Sequence, residues 1–185
     1  MERVLDTFAS LIAPEPPPLP PPTTAHRQPQ RNEPAFALRT HLYRSTGVDL
    51  TPVPGVQALT IHTVLSEIGL EMRQWPTDKH FASWLGRCPE NQMSGGKVLS
   101  TGRRRVQNRA SRALRMAAQS LRTSPSYLGA FSRRMRSTLG PAKATTATAH
   151  TLAKILDHML QEKTPYRVQS AEAYLQKDHA RRLRQ

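Results

Sequence analysis

A serine followed by two glycines and a lysine is the segment of this sequence best suited to chemistry. Ser94, Gly95, Gly96 and Lys97 lie within PENQMSGGKVLSTG. A serine hydroxyl attacks phosphorus, glycines allow a ligand close to the backbone, and a lysine ammonium binds a phosphate oxygen. A plain flexible turn explains the same residues, and spacing alone leaves both interpretations open. A P-loop is excluded, because its spacing and its preceding strand are missing.

Around this serine the charge is one-sided. Between Asn91 and Leu156 the chain has no Asp or Glu but has 13 basic residues, of which ten are Arg. A face of one sign repels itself, so it favours a polyanion such as the phosphate backbone of nucleic acid. The net charge of +14 over 185 residues also argues against an ordinary metabolic enzyme. A basic surface that serves only solubility is the alternative.

A second phosphate-binding candidate is the tight turn at Pro54 and Gly55. The turn leads into a predicted helix, whose first amides are free to bind an anion. It resembles half of a helix-hairpin-helix element, although a plain helix start explains it equally well. We therefore predict DNA contacts at Pro54, Gly55, Gly95, Gly96, Lys97, Arg103, Arg104, Arg105, Arg109 and Arg112.

The elements that must position these residues are predicted to be helical. Apolar residues recur at helical spacing, no strand pattern is convincing, and the expected class is a compact all-α domain. A loop is predicted over Pro89–Gly102, followed by a long helix over Arg103–Arg122 with Val106, Ala110, Leu114, Ala117 and Leu121 inward. Ser124 and Pro125 are expected to start the next helix, Gly140 and Pro141 to break it, and a last helix to span 144–161.

The rest of the chain divides by composition. Residues 1–13 predict a short amphipathic helix, the remnant of a longer one, and residues 14–34 hold nine of the 16 prolines, which predicts an extended linker. That linker is alternatively a ligand for a proline-binding domain. The folded domain is expected over 35–166, and a basic polar tail over 167–185. The single cysteine, Cys88, excludes an internal disulfide. No apolar run is long enough to span a membrane, and we expect a cytoplasmic protein.

Three stretches resemble one bacterial family. They are GVDLTPVPGVQALTIHTVLSEIG, then FASWLGRCPENQMSGGKVLSTGRRRVQNRASRALRMAA, then LGAFSRRMRSTLGPAKATTATAHTLAKILDHMLQEKTPY. From about Tyr43 to Tyr166 the chain is similar to the C-terminal serine domain of the insertion-sequence transposases of the IS110 and IS116 type. In that family a bridge RNA guides the enzyme, and an N-terminal RuvC-like nuclease domain precedes the serine domain.

The resemblance implies a role for each part of the site. Ser94 matches the family's nucleophile, which attacks a DNA phosphodiester and forms a phosphoserine, whereas Ser100 and Thr101 lack the following glycines. Met93 departs from the hydroxyl residue often found there. Lys97 and the arginines after it are expected to bind the DNA backbone. The implied function is the DNA-binding part of a transposase that cleaves and rejoins DNA strands.

The acidic residues of this chain form no plausible metal cluster in the sequence, which limits the expected activity. The family's Mg²⁺ ions are held by four acidic residues of the nuclease domain, so no cofactor is expected in this chain. We expect a truncated, frameshifted or split copy that is inactive alone. Its expected location is the bacterial nucleoid, and its expected partners are DNA, a guide RNA and either further copies of the chain or the missing half. The alternative is a DNA- or RNA-binding protein without catalysis.

Overall fold

The computed structural model describes residues 36–86, 89–103 and 108–168, with residues 19, 170–172, 174, 176 and 180. For residues 89–93 and 98–103 the description is limited to the backbone. The predicted N-terminal helix and, apart from residue 19, the Pro-rich linker lie outside the described residues. Arg104, Arg105 and Cys88 also lie outside them, as does most of the tail beyond 168.

Six helices and one β-hairpin make up the described chain. They are α1 (Leu38–Thr46), α2 (Ala58–Ile68), α3 (Asp78–Trp84), β1 (Pro89–Ser94), β2 (Lys97–Arg103), α4 (Arg109–Ser120), α5 (Tyr127–Leu139) and α6 (Pro141–Glu162). Short 3₁₀ turns at Met72–Gln74 and Leu121–Thr123 continue the chain before α3 and after α4. No helix within the described residues is long and apolar enough to cross a bilayer.

The helix ends follow from local sequence. Gly47 adopts the left-handed conformation after α1, and Gly69 donates its amide to the Leu65 carbonyl at the end of α2. The Thr77 side chain accepts from the His80 amide and caps α3. These three boundaries follow from the backbone freedom of glycine and from the side-chain oxygen of threonine.

The core is formed by the apolar faces of the helices. The 22-residue helix α6 packs against α3, α4 and α5, and α2 packs against α4. Phe81, Leu114 and Leu152 are completely buried where these helices meet, and the Phe81 ring lies 5.2 Å from the Trp75 ring, centroid to centroid. The all-α class is confirmed, since helices supply most of this core, and the segment 48–56 between α1 and α2 adds four valine and leucine side chains.

Several predicted boundaries were wrong. The segment predicted as a loop over Pro89–Gly102 forms the antiparallel strands β1 and β2. Helix α4 begins at Arg109 rather than at Arg103, because the Asn108 side chain accepts from the Ser111 amide and caps the helix there.

The next two helix starts are also corrected. Ser126, not Ser124, caps α5 and accepts from the Gly129 amide at 3.2 Å. Gly140 and Pro141 do break the preceding helix, because α5 ends at Leu139, but α6 begins at Pro141 rather than at residue 144. Pro141 occupies the first turn of α6, where its missing N–H costs no hydrogen bond.

Candidate nucleic-acid interface

Ser94 lies at the tip of the hairpin. Gly95 and Gly96 form the two-residue turn, and Ser94 pairs directly with Lys97 across it. Both glycines have positive φ, +56° and +75°, which is the combination that a type I′ hairpin turn requires. An ideal Cβ on either glycine would meet no atom within 4 Å, so the backbone conformation, not crowding, demands glycine at both positions.

Ser94 and Lys97 face the same side of the hairpin. Residues that pair directly across two antiparallel strands carry Cβ atoms about 4.5–5.5 Å apart. Both side chains are exposed, and no described residue forms a hydrogen bond with the Ser94 hydroxyl. The tip therefore presents a hydroxyl beside an ammonium group, which together suit contact with one phosphate group.

The strands hold this tip away from the helices. From Pro89 to Ser94 the strand rises about 17 Å, at about 3.4 Å per residue. Leu99 is an extra residue in β2, because Gln92 pairs with Ser100 while Met93 pairs with Val98. This bulge twists the strands just before the turn, a device that often re-aims residues beside active sites.

The base of the hairpin is fixed by the neighbouring helices. Pro89 and Arg103 pair at the open end of the strands. The buried Ser111 hydroxyl, in the first turn of α4, donates to the Leu85 carbonyl after α3 at 2.9 Å. The two helix ends that flank the hairpin are thus joined to each other.

Three of the predicted arginines lie within the described chain, at the hairpin base and on α4. Arg103 lies in the strand pair at the base, and Arg109 and Arg112 lie on the first turns of α4. Arg109 forms an ion pair with Glu67 of α2, with 2.6 Å between Nε and Oε1, while Arg112 is exposed. The serine and the helix arginines are therefore separate parts of the surface.

Glu67 is the residue that sequence reasoning missed. The charge argument counted acidic residues only between Asn91 and Leu156, and Glu67 reaches α4 from outside that range. Arg109 remains 73% exposed in its ion pair, so water screens the attraction and the pair contributes little to stability.

The Pro54–Gly55 turn packs inward. A Cβ on Gly55, whose φ is +80°, would lie 2.8 Å from Leu121 Cγ and 2.9 Å from the Ala117 carbonyl oxygen. Gly55 therefore allows the turn to sit directly on the C-terminal end of α4. The amides at the start of α2 follow this turn, and the Gln57 side chain makes no capping hydrogen bond there.

A buried ion pair fixes the chain before that turn. Arg39 of α1 donates two hydrogen bonds to Asp49, one of them from Nε at 3.2 Å, and Thr51 donates through its hydroxyl and its amide. Burial alone would raise the pKa of Asp49, but the hydrogen bonds from Arg39 and Thr51 outweigh it and lower that pKa. Asp49 thus holds the approach to the turn as a charged acceptor.

Comparison with known proteins identifies one family. Residues 49–133, from the Asp49 anchor through the hairpin to α5, match the family model described as "Transposase IS116/IS110/IS902 family". The resemblance seen in the sequence is confirmed over this range. A search of curated proteins returned no match.

Proposed function

We propose that this chain, whose residues 49–133 match the IS116/IS110/IS902 transposase family model, binds DNA during transposition and supplies Ser94 as the strand-cleaving nucleophile. The observation that carries the proposal is the hairpin tip. Ser94 and Lys97, both exposed, are paired in the strand register across two glycines of positive φ, about 17 Å from the base of the strands. Such a tip can reach the phosphate of a DNA strand without moving the helices.

The proposed step is transfer of a phosphoryl group to serine. A bond forms between Ser94 Oγ and the phosphorus of a phosphodiester, and the bond from that phosphorus to one sugar oxygen breaks. The serine proton passes to a general base, and the leaving sugar oxygen gains a proton. In rejoining, a sugar hydroxyl attacks the phosphoserine and releases Ser94. Lys97 lies beside the reacting oxygens, where an ammonium stabilises their growing negative charge.

No described side chain accepts a hydrogen bond from the Ser94 hydroxyl. Nor do the described His, Cys, Asp and Glu side chains form a group of three that could hold a metal ion. Following the family resemblance, we assign both the base and the Mg²⁺ site to a RuvC-like nuclease domain that meets the hairpin tip. The magnesium would there stabilise charge on the phosphate.

The hairpin itself favours such a meeting. In the described part of the chain its sheet has two strands, and an isolated two-stranded hairpin is marginally stable in water. Contact with a nuclease domain, with DNA or with another copy of the chain would cover the hairpin during the reaction. We propose that the active form is this assembly.

The exposed arginines of the helices are assigned to the DNA backbone. If six arginines each neutralise one phosphate, the logarithm of the binding constant falls with the logarithm of salt concentration at a slope of about −5, from about −0.9 per contact. Arg112, without an acidic neighbour among the described residues, is better placed for this role than Arg109, which Glu67 partly neutralises. Fluorescence anisotropy of the full chain with labelled duplex DNA measures this slope.

The serine is tested by covalent capture of DNA. The full chain is mixed with the RuvC-like nuclease half and an end-labelled DNA substrate, and protein–DNA adducts are resolved on a denaturing gel. We expect an adduct with the wild-type chain, none with Ser94→Ala, and an undiminished one with Ser100→Ala, which removes a hydroxyl from the same hairpin. DNA binding by Ser94→Ala should equal wild-type binding.

Two results would overturn parts of the proposal. An adduct that persists in Ser94→Ala would exclude this serine as the nucleophile. Absence of any adduct with the wild-type chain, together with normal DNA binding, would favour a protein that binds nucleic acid without catalysis.

A further inference from the structure

A cavity of about 610 Å³ lies between the C-terminal half of α4, the C-terminal half of α5 and the start of α6. Its volume falls in the range of about 300–1,000 Å³ that is usual for ligand sites. It lies at the opposite end of α4 from the hairpin, since Arg109 and Arg122 are about 20 Å apart along the helix axis at about 1.5 Å per residue. The cavity is therefore separate from the serine site.

Three arginines give this cavity its charge. Arg115 and Arg122 line it from α4 and the turn that follows, and Arg136 lines it from α5. Among the described residues that line it, none is acidic. No ion pair within the described chain involves these three side chains, in contrast to Arg109 at the other end of α4. Three guanidinium groups that line one cavity without an ion-pair partner among the described residues favour binding of an anion.

A buried hydroxyl in the same cavity has no partner. Ser132 of α5 lines the cavity and is only 8% exposed. Within the described residues its hydroxyl makes no hydrogen bond, although other buried hydroxyls do, as when Thr148 donates to the Ala144 carbonyl. Buried polar groups are nearly always paired, so an unpaired one that faces a cavity indicates a missing acceptor.

The start of α6 adds a further source of positive potential. Gly140 precedes this 22-residue helix and provides no side-chain cap, and Ala142 in its first turn lines the cavity. The first amides of a helix lack intrahelical partners and attract anions. The first amides of α6 thus add to the positive potential of the three arginines and to the hydrogen-bonding capacity of Ser132.

We propose that this cavity binds a phosphodiester group of a nucleic-acid strand, held by Arg115, Arg122 and Arg136 with the Ser132 hydroxyl donating to a phosphate oxygen. The proposal deepens the nucleic-acid binding proposed above and does not depend on Ser94 chemistry. It adds a second contact, distant from the hairpin, through which the strand crosses the far end of α4. The rival explanation is structural, since Arg115 and Arg122 lie near the C-terminus of α4 and complement its dipole.

The test compares the double variant Arg122→Gln/Arg136→Gln with Arg73→Gln. Arg73 is exposed on the Met72–Gln74 turn and away from the cavity, so its substitution controls for loss of charge. Anisotropy of the full chain is measured with duplex DNA and with RNA of the same sequence. We expect the double variant to bind duplex DNA, RNA or both about tenfold more weakly, whatever the oligonucleotide sequence. The slope of the logarithm of the binding constant against the logarithm of salt concentration should become shallower by about 1. Arg73→Gln should change both quantities little.

The variant Ser132→Ala separates ligand binding from structure. The hydroxyl has no partner in the described chain, so its removal should leave the thermal midpoint unchanged or slightly higher. We expect weaker oligonucleotide binding nonetheless. A drop in the midpoint with unchanged binding would assign Ser132 a structural role and overturn its part in the site.

Inorganic phosphate is the third probe. Its binding is measured by the change that it causes in the thermal midpoint of unfolding. Phosphate could stabilise the wild-type chain but not the double variant while both bind oligonucleotides equally. This result would indicate that the cavity binds free phosphate, and it would overturn the proposal that a nucleic-acid strand occupies it. Equal oligonucleotide binding by the double variant and Arg73→Gln would overturn the cavity proposal alone. No binding by the wild-type chain would overturn both this proposal and the DNA-binding role, while the adduct assay on Ser94 remains a separate result.

Discussion

The helical core and the β1–β2 hairpin differ in what surrounds their side chains. Phe81, Leu114 and Leu152 are completely covered by neighbouring helices, whereas Ser94 and Lys97 are exposed at the hairpin tip. The described core lies in the helices and the segments that join them, whereas the proposed chemistry lies at the exposed hairpin tip. If this separation is real, substitutions in the two regions should affect different measurements.

The largest expected loss of stability is in the core. Phe81→Ala removes a ring that is 0% exposed and packs against Trp75, so it should lower the free energy of unfolding by about 4 kcal/mol. Phe36→Ala is the control, because Phe36 is 57% exposed, and it should cost less than about 0.5 kcal/mol. Urea unfolding followed by circular dichroism measures both. Similar losses would contradict the assigned core.

The second expected loss tests the turn on α4. Gly55→Ala adds a methyl group 2.8 Å from Leu121 and strains a residue with φ of +80°, so we expect a loss of about 3 kcal/mol. Gly47→Ala is the matched control, because its φ is +72° but its nearest contact is an ordinary 3.9 Å, and it should cost about 1 kcal/mol. The difference in urea midpoints isolates the close packing. Equal losses would show that the backbone strain alone matters.

Substitution of the buried carboxyl group of Asp157 is expected to increase the free energy of unfolding, in contrast to the losses above. Asp157 is 2% exposed, and burial raises the pKa of its carboxyl group. The hydrogen bond from Gln161 and the charge of His158 lower this pKa, while the charge of Asp78 raises it, and the net shift is upward. The folded state then binds the proton more tightly than the unfolded state, so stability falls as pH rises from about 3.8 through the folded pKa. Asp157→Asn should raise the free energy of unfolding at pH 7 by about 1 kcal/mol.

The control for this variant is Asp49→Asn. The pKa of Asp49 is lowered, so its stabilising effect is present above pH 3.8 and is lost in acid. Its substitution should reduce stability at pH 7. Unfolding free energies at pH 4, 5.5 and 7 compare the two variants, and a loss of stability in both would show that burial of Asp157 is not costly.

The smallest effect on stability is expected at the hairpin tip. Gly96→Ala strains a residue with φ of +75° but meets no atom within 4 Å. The free energy of unfolding of the helices should change by less than about 0.5 kcal/mol. The yield of the covalent DNA adduct should fall by about tenfold or more, because misplacement of a nucleophile by about 1 Å is costly. A loss of stability as large as that of Gly55→Ala would show that the hairpin belongs to the core.

The sequence predicted the helical part of this fold well, for a physical reason. Side chains such as Ile61, Leu114 and Leu152 repeat with helical period because each helix buries one face, and glycines end α1 and α2 by their backbone freedom. The hairpin was missed because its strands are polar and show no alternation of apolar residues. The two glycines between Ser94 and Lys97 were the available signal for a two-residue turn.

The candidate site could be predicted only in part. The serine and the glycines are adjacent in sequence, so a local motif identified them. The cavity lined by Arg115, Arg122 and Arg136 depends on how α5 and α6 pack against α4, and such an arrangement has no signature within one segment. The ion pair between Arg109 and Glu67 arises in the same way, from residues 42 positions apart.

The hydrogen bond from Ser111 to the Leu85 carbonyl has a consequence for the evolution of this domain. It joins the two helix ends between which the strands emerge. A short linker in place of residues 87–107 would close the chain at a small entropic cost, because loop closure depends only weakly on length. We expect the helical scaffold to stay folded with such a linker, so that the sequence of the hairpin could diverge independently of the helices.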